Sequence, residues 1–307
     1  MNYRKDKVER LVRAAHMYYE EDRTQGEIAD HLHVSRPLVS RMLREARELG
    51  IVEIRVHVPE DDTEARMDRL CRQFGLQGGV LIAEEDRDSQ IDQNLAKCLL
   101  EYVEAEQPAV IGIGWGDIIG SLTELIERTP QRSTSVQTVC PLVGNSTVSS
   151  RRYHTDENVR IIAKNMCAQP KYLHAPAFFA DAADRSLLYD TRHYQEIAEQ
   201  WDRMDIALVG IQDTTATGDM DYPMELYGGS IGHFIAYTYD IQGQFIRPER
   251  DCVAHIPLDQ LAKCRQVIGL CAADVSPQAV LGALRTGILT HLFARESLAD
   301  ALLREEA

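Results

Sequence analysis

Over the first fifty residues apolar side chains recur at helical spacing. Val8, Leu11, Val12, Ala15, Met17, Tyr18 and Tyr19 largely follow a 3.6-residue period and predict a first helix over 8–21. Thr24 stands three residues before Glu27, the spacing at which hydroxyl and carboxylate satisfy free backbone amides, so a second helix is expected there. Ser35 can cap a third, whose first turn tolerates Pro37 because amides there lack helical acceptors; it should run to about Leu49 and stop at Gly50. From Ile51 to Val58 apolar and charged residues alternate, as in a half-exposed strand, here expected as a wing. The polar stretch Pro59-Glu60-Asp61-Asp62-Thr63 then separates two expected domains, 1–58 and 59–307.

Beyond it the rhythm changes. Helix-like stretches at about 64–74, 89–105, 117–128, 156–168, 191–200, 277–286 and 296–304 alternate with short apolar runs at 79–82, 109–113, 136–139, 206–209 and 267–270. Runs of that length are strands buried on both faces, so the pattern predicts a doubly wound, mainly parallel sheet between two helical layers.

The net charge of −15 argues at first against a polyanionic partner, but residues 1–58 hold 11 Lys and Arg against 10 Asp and Glu, leaving 22 against 38 for the rest. A DNA-reading segment therefore fits only the first domain. No stretch reads as a membrane span or secretion signal, which implies a cytoplasmic chain without membrane contact. Seven scattered cysteines without a C-x-x-C pair argue against a disulfide framework or zinc ribbon, and those in apolar runs, Cys140 and Cys271, are expected to be buried. His31 and His33 lack further ligands nearby, and no metal or cofactor is expected.

In the first domain Ile28, Ala29, Leu32, Val34, Val39 and Leu43 are placed to pack two short helices together, the arrangement of a helix-turn-helix. The opposite face of the third helix then carries Arg36, Ser40, Arg41, Arg44 and Arg47. Arginine grips guanine edges with two hydrogen bonds, while hydroxyls and helix-start amides hold phosphates. In the second domain the run Ala109–Gly116 reads as a buried strand ending in a glycine-rich turn before a helix at Asp117. It lacks the spacing of a dinucleotide fingerprint, yet Gly114 and Gly116 would let backbone approach a ligand, with Trp115 broad enough to cover a sugar face and Asp117 able to accept from hydroxyls. A second loop, Gly144-Asn145-Ser146, follows another apolar strand and is rich in amides and hydroxyls. Asp213 stands at a further strand end, where open α/β sheets place their ligands. An active enzyme would need an acid–base pair across a substrate, and no spacing supplies one.

Thr24-Gln25 with Glu27-Ile28-Ala29, Ser35 through Leu43, Ala46-Arg47 and Gly50-Ile51-Val52 resemble the DNA-binding domain of the SorC family of sugar-responsive bacterial regulators. Gly112–Gly116, Pro141–Gly144, Asp205–Ile211, Gly232 with Asp240 and Gly243, and Ala283–Gly287 resemble that family's effector-domain landmarks, in the same order. The resemblance implies a non-enzymatic transcriptional regulator, its sensor built like sugar-phosphate isomerases. It implies operator DNA and a sugar, polyol or sugar phosphate as partners, and a homo-oligomer with a tetramer favoured over a dimer. DNA contacts are then expected at Thr24, Gln25, Ser35, Arg36, Pro37, Ser40, Arg41 and Arg44. Ligand contacts extend to His233, which stands where many members carry aspartate, and to Ser276, which stands where a lysine is expected. Arg295 replaces an acidic residue. Losing the lysine weakens the case for a phosphate unless His233 or Arg295 restores charge.

Overall fold

The computed structural model describes residues 2–19, 21, 23–49, 51–52, 61–84, 87–128, 135–214, 228–247 and 252–305. The chain divides into two units, Met1–Glu60 and Asp61–Ala307.

The described residues of the first unit form three helices: α1 (Asn2–Tyr19), α2 (Gln25–Leu32) and α3 (Arg36–Glu48). The α2 start is a reciprocal cap, in which the Thr24 hydroxyl accepts from Glu27 N at 3.3 Å and Thr24 N donates to Glu27 Oε2 at 2.9 Å. His33 ends α2 in the left-handed region, at φ 53°, its N–H directed to the Ala29 and Asp30 carbonyls, and so turns the chain into α3. Leu11, Ala14, Ile28, Val39, Leu43 and Ala46 form the shared core, against which the partly buried Ile51 and Val52 pack. The helix expected over 8–21 begins earlier and ends at Tyr19. The expected stop at Gly50 and the wing beyond Val52 lie outside the described residues.

The second unit opens with α4 (Asp61–Phe74), β1 (Gly78–Ile82), α5 (Asp88–Glu106), β2 (Val110–Ile113), α6 (Asp117–Arg128) and β3 (Thr138–Pro141). A short 3₁₀ turn precedes α7 (Thr155–Met166), β4 (Gln169–Pro170), α8 (Ala182–Tyr189), α9 (Arg192–Trp201) and β5 (Ile206–Asp213). A ribbon follows, β6 (Gly232–Phe234), β7 (Tyr237–Tyr239) and β8 (Phe245–Ile246), then α10 (Leu258–Leu261), β9 (Gln266–Cys271), α11 (Pro277–Arg285), β10 (His291–Arg295) and α12 (Glu296–Glu305).

Among the described residues seven strands lie parallel in the order β1-β10-β9-β5-β2-β3-β4, and β6 to β8 continue antiparallel from the far end of β5. Alternate side chains of β5 face two different cores. Ala207, Val209 and Ile211 join one with residues of α4, α9, α11 and α12, while Ile206 and Leu208 join the other with residues of α5, α6 and α7. This two-sided burial is why β5 reads as an unbroken apolar run.

From β2 the sheet grows outward through β3 and β4, and from β5 it grows the opposite way through β9 and β10. The direction of winding therefore reverses between β2 and β5. Consecutive connections leave that point on opposite faces of the sheet, so a crevice opens at the carboxyl ends of those two strands.

Candidate functional site

The turn leaving β2 lies directly over β5. Gly114 N donates to Leu208 O at 2.9 Å, and a Cβ on Gly210 would stand 2.9 Å from the Trp115 carbonyl oxygen. Gly116 has φ +114°, which disfavours any side chain, and a Cβ there would meet the Gln212 carboxamide at 3.1 Å. The turn delivers Asp117 to the first position of α6. Its Oδ1 accepts from Arg152 Nη1 at 3.1 Å and its Oδ2 from the Tyr153 hydroxyl at 3.5 Å; that hydroxyl accepts from Gln212 Nε2 at 2.8 Å. Burial, and then the Asp117 charge, push the Tyr153 hydroxyl up to about 12, so it stays protonated. Arg152 also reaches Glu124 at 3.3 Å, its stem lying across Gly120, where a Cβ would approach its Cγ to 2.2 Å.

On the other side, Asp213 joins β5 to α11. Its Oδ2 accepts from Ser276 N at 2.9 Å, its Oδ1 accepts from the Ser276 hydroxyl, and that hydroxyl accepts from Ala279 N at 3.2 Å to cap the helix. Between these groups lies a small cleft lined by Asp117, Ile118, Ile211, Gln212, Asp213, Ala272, Asp274 and Val275. Asp92 of α5 accepts from Ala273 N at 3.0 Å. Burial, then the neighbouring Asp274 and Asp117, raise its carboxyl to about 6 against the opposing pull of the Ala273 amide and Arg152. Gln212 Oε1 is buried and has no hydrogen-bond partner among the described residues.

Of the residues expected from the sequence, Asp117 and Asp213 line this cleft, Gly114 and Gly116 shape it, and Ser276 is bonded to Asp213. Others take different roles. Trp115 is fully buried, its ring centroid 6.3 Å from Tyr153 and 6.2 Å from Phe178, so it packs the core and offers no face to a sugar. Gly144, Asn145 and Ser146 are not among the lining residues. Gly144 N donates to Ala254 O at 2.9 Å, the Asn145 amide exchanges bonds of 2.9 and 3.0 Å with Asp156, and the Ser146 hydroxyl accepts from Val148 N at 3.2 Å. These bonds tie the loop to Ala254, to Asp156 and to itself. His233 is enclosed in β6, where burial lowers its imidazole to about 4 and keeps it neutral, and Arg295 lies 4.0 Å from Glu84. Neither His233 nor Arg295 is among the residues lining the cleft.

Asp92, Tyr153 and Asp274 are the contributors that sequence reasoning missed. Asp274 could have been found by position, since it stands three residues past the end of the buried strand β9. Asp92 and Tyr153 carry no such signal, because only tertiary packing brings them to the strand ends.

In the first unit α3 turns Val39, Met42, Leu43 and Ala46 inward, while Arg36, Pro37, Arg41 and Arg44 are exposed and Ser40 is half-buried beside them. Among the described residues no ion pair engages Arg36, Arg41 or Arg44. Ser35 precedes this face, while Thr24 and Gln25, at the start of α2, border with Arg36 a groove beside Tyr18, Tyr19 and Arg23. The side chain of Arg47 lies outside the described residues. Among the described residues no group of three or more His, Cys, Asp or Glu could hold a metal, and no helix is long and apolar enough to cross a membrane.

Residues 60–304 match the family model described as "Putative sugar-binding domain". The chain is 28% identical to the sorbitol operon regulator of Klebsiella pneumoniae, over 97% of this chain and 99% of that one. It is 28% identical to the deoxyribonucleoside regulator of Bacillus subtilis, over 66% of this chain and 65% of that one. The crystal structure of the full-length Klebsiella regulator superposes with a TM-score of 0.72 at 26% identity, covering 96% of this chain and 98% of that one.

Proposed function

Because the chain belongs to the SorC family of sugar-binding transcriptional regulators, we propose that it reads operator DNA with α3 and takes its effector in the cleft between the ends of β2 and β5. It is a DNA-binding regulator of carbohydrate genes, under the control of a sugar, polyol or sugar-phosphate effector, and it is not an enzyme. The observation that carries the DNA assignment is the division of α3 into a buried apolar side and an exposed side bearing Arg36, Arg41 and Arg44 without ion-pair partners among the described residues. Guanidinium groups so presented reach base edges in a major groove, while the starts of α2 and α3, with Thr24, Gln25, Ser35, Pro37 and Ser40, meet the phosphates. The effector assignment rests on the reversal of winding at β2 and β5, with Asp117, Gln212, Asp213 and Asp274 converging there.

Residues 1–58 thus act as the DNA-binding domain and 59–307 as the effector and oligomerisation domain. The test is operator binding, followed by fluorescence anisotropy on DNA from upstream of the chain's own gene. Arg36→Ala and Arg41→Ala should each cost about 1–3 kcal/mol in specific binding if they contact base edges, with the effector-induced rise in melting temperature intact. Operator affinity indifferent to both substitutions would remove α3 as the reader.

A further inference from the structure

Resting on that placement of the effector cleft, we infer that the effector is an uncharged polyol or sugar and that its phosphate esters are excluded. A phosphate dianion needs unspent donors and positive charge. Several donors at this end of the sheet are already committed. Arg152 is divided between Asp117 and Glu124, the Ser276 amide and hydroxyl both donate to Asp213, the Ala273 amide donates to Asp92, and Gly116 N donates to the Arg152 carbonyl.

The acceptors are in surplus. Asp117, Asp213 and Asp274 line the cleft, and Gln212 Oε1 is buried there without a partner among the described residues. Hydroxyl groups answer such a surface, since each brings a donor and leaves carboxylate charge undisturbed. A phosphate would bring further negative charge against three carboxylates and leave the Gln212 oxygen still unmatched.

The test is calorimetry on the full-length protein with three matched pairs, sorbitol and sorbitol 6-phosphate, fructose and fructose 6-phosphate, ribose and ribose 5-phosphate. In any pair that binds, the free compound should bind roughly tenfold or more tightly than its ester. Gln212→Leu should weaken the free compound, and Asp274→Asn, at an exposed position, should narrow the preference without unfolding the protein. An ester binding as tightly as the free compound, or more tightly, overturns the inference, as does silence from all three pairs at millimolar concentration. Preference for the free compound that neither substitution alters overturns instead the placement of the effector in this cleft, and with it the electrostatic cause of the exclusion.

Discussion

Asp92 shows how one carboxyl registers the chemistry of the whole strand-end region. Its acid form is favoured by burial and by facing Asp274 and Asp117, so its value in the folded chain, about 6, stands above the ordinary carboxylate value of 3.8. Between those values the folded state holds a proton that the unfolded state has released, and stability contributed by Asp92 is lost as pH rises through that window. Asp92→Asn keeps an acceptor for the Ala273 amide and removes the charge. Its melting temperature should exceed that of the parent at pH 7.5 and approach it at pH 4; an equal difference at both values would show that Asp92 is not the titrating group. The same residue marks the limit of reading a site from sequence. Asp117 and Asp213 were legible because each sits where an apolar run ends, whereas Asp92 lies within a helix and gains meaning only from the strand ends it meets. Trp115 misled for a related reason: a turn next to a ligand site can aim a large side chain backward into the core, and residue type does not record direction.

Among the elements, those with a strong period were foreseen and those without were not. α6, α7, α11 and α12 lie within a few residues of their expected spans because each buries one stripe. α8 buries none of its residues, so no stripe exists to be read. β6, β7 and β8 span two or three residues each, too short for alternation to emerge, and β4 is two residues long. Caps are more legible than strands of that length, since they depend on two positions at fixed spacing. For the cap at α2 the expected outcome is a loss of about 0.5–2 kcal/mol in Thr24→Ala, with Thr24→Ser recovering most of it. Chemical denaturation of the variants checks it, and equal stability of all three proteins would show that the Thr24–Glu27 pair contributes nothing.

At the scale of the molecule, residues 1–58, the unit proposed to read DNA, carry a net charge near +1 and the remainder of the chain one near −16. One such unit gains little electrostatic affinity for DNA, so tight binding calls for at least two acting together at the effective concentration their linkage sets. Light scattering should therefore report a dimer or, in preference, a tetramer, on an operator with two-fold symmetry; a monomer both free and on DNA would refute this. If copies of the chain associate, association must also stop, and one border of the sheet bears on that. The outermost strand there, β4, is two residues long and one of them is Pro170, which has no amide to offer an approaching strand. Copies of the protein are thus denied strand-by-strand extension across that border, a route that leads to open-ended fibres, and self-recognition is turned toward side-chain surfaces on which assembly can close.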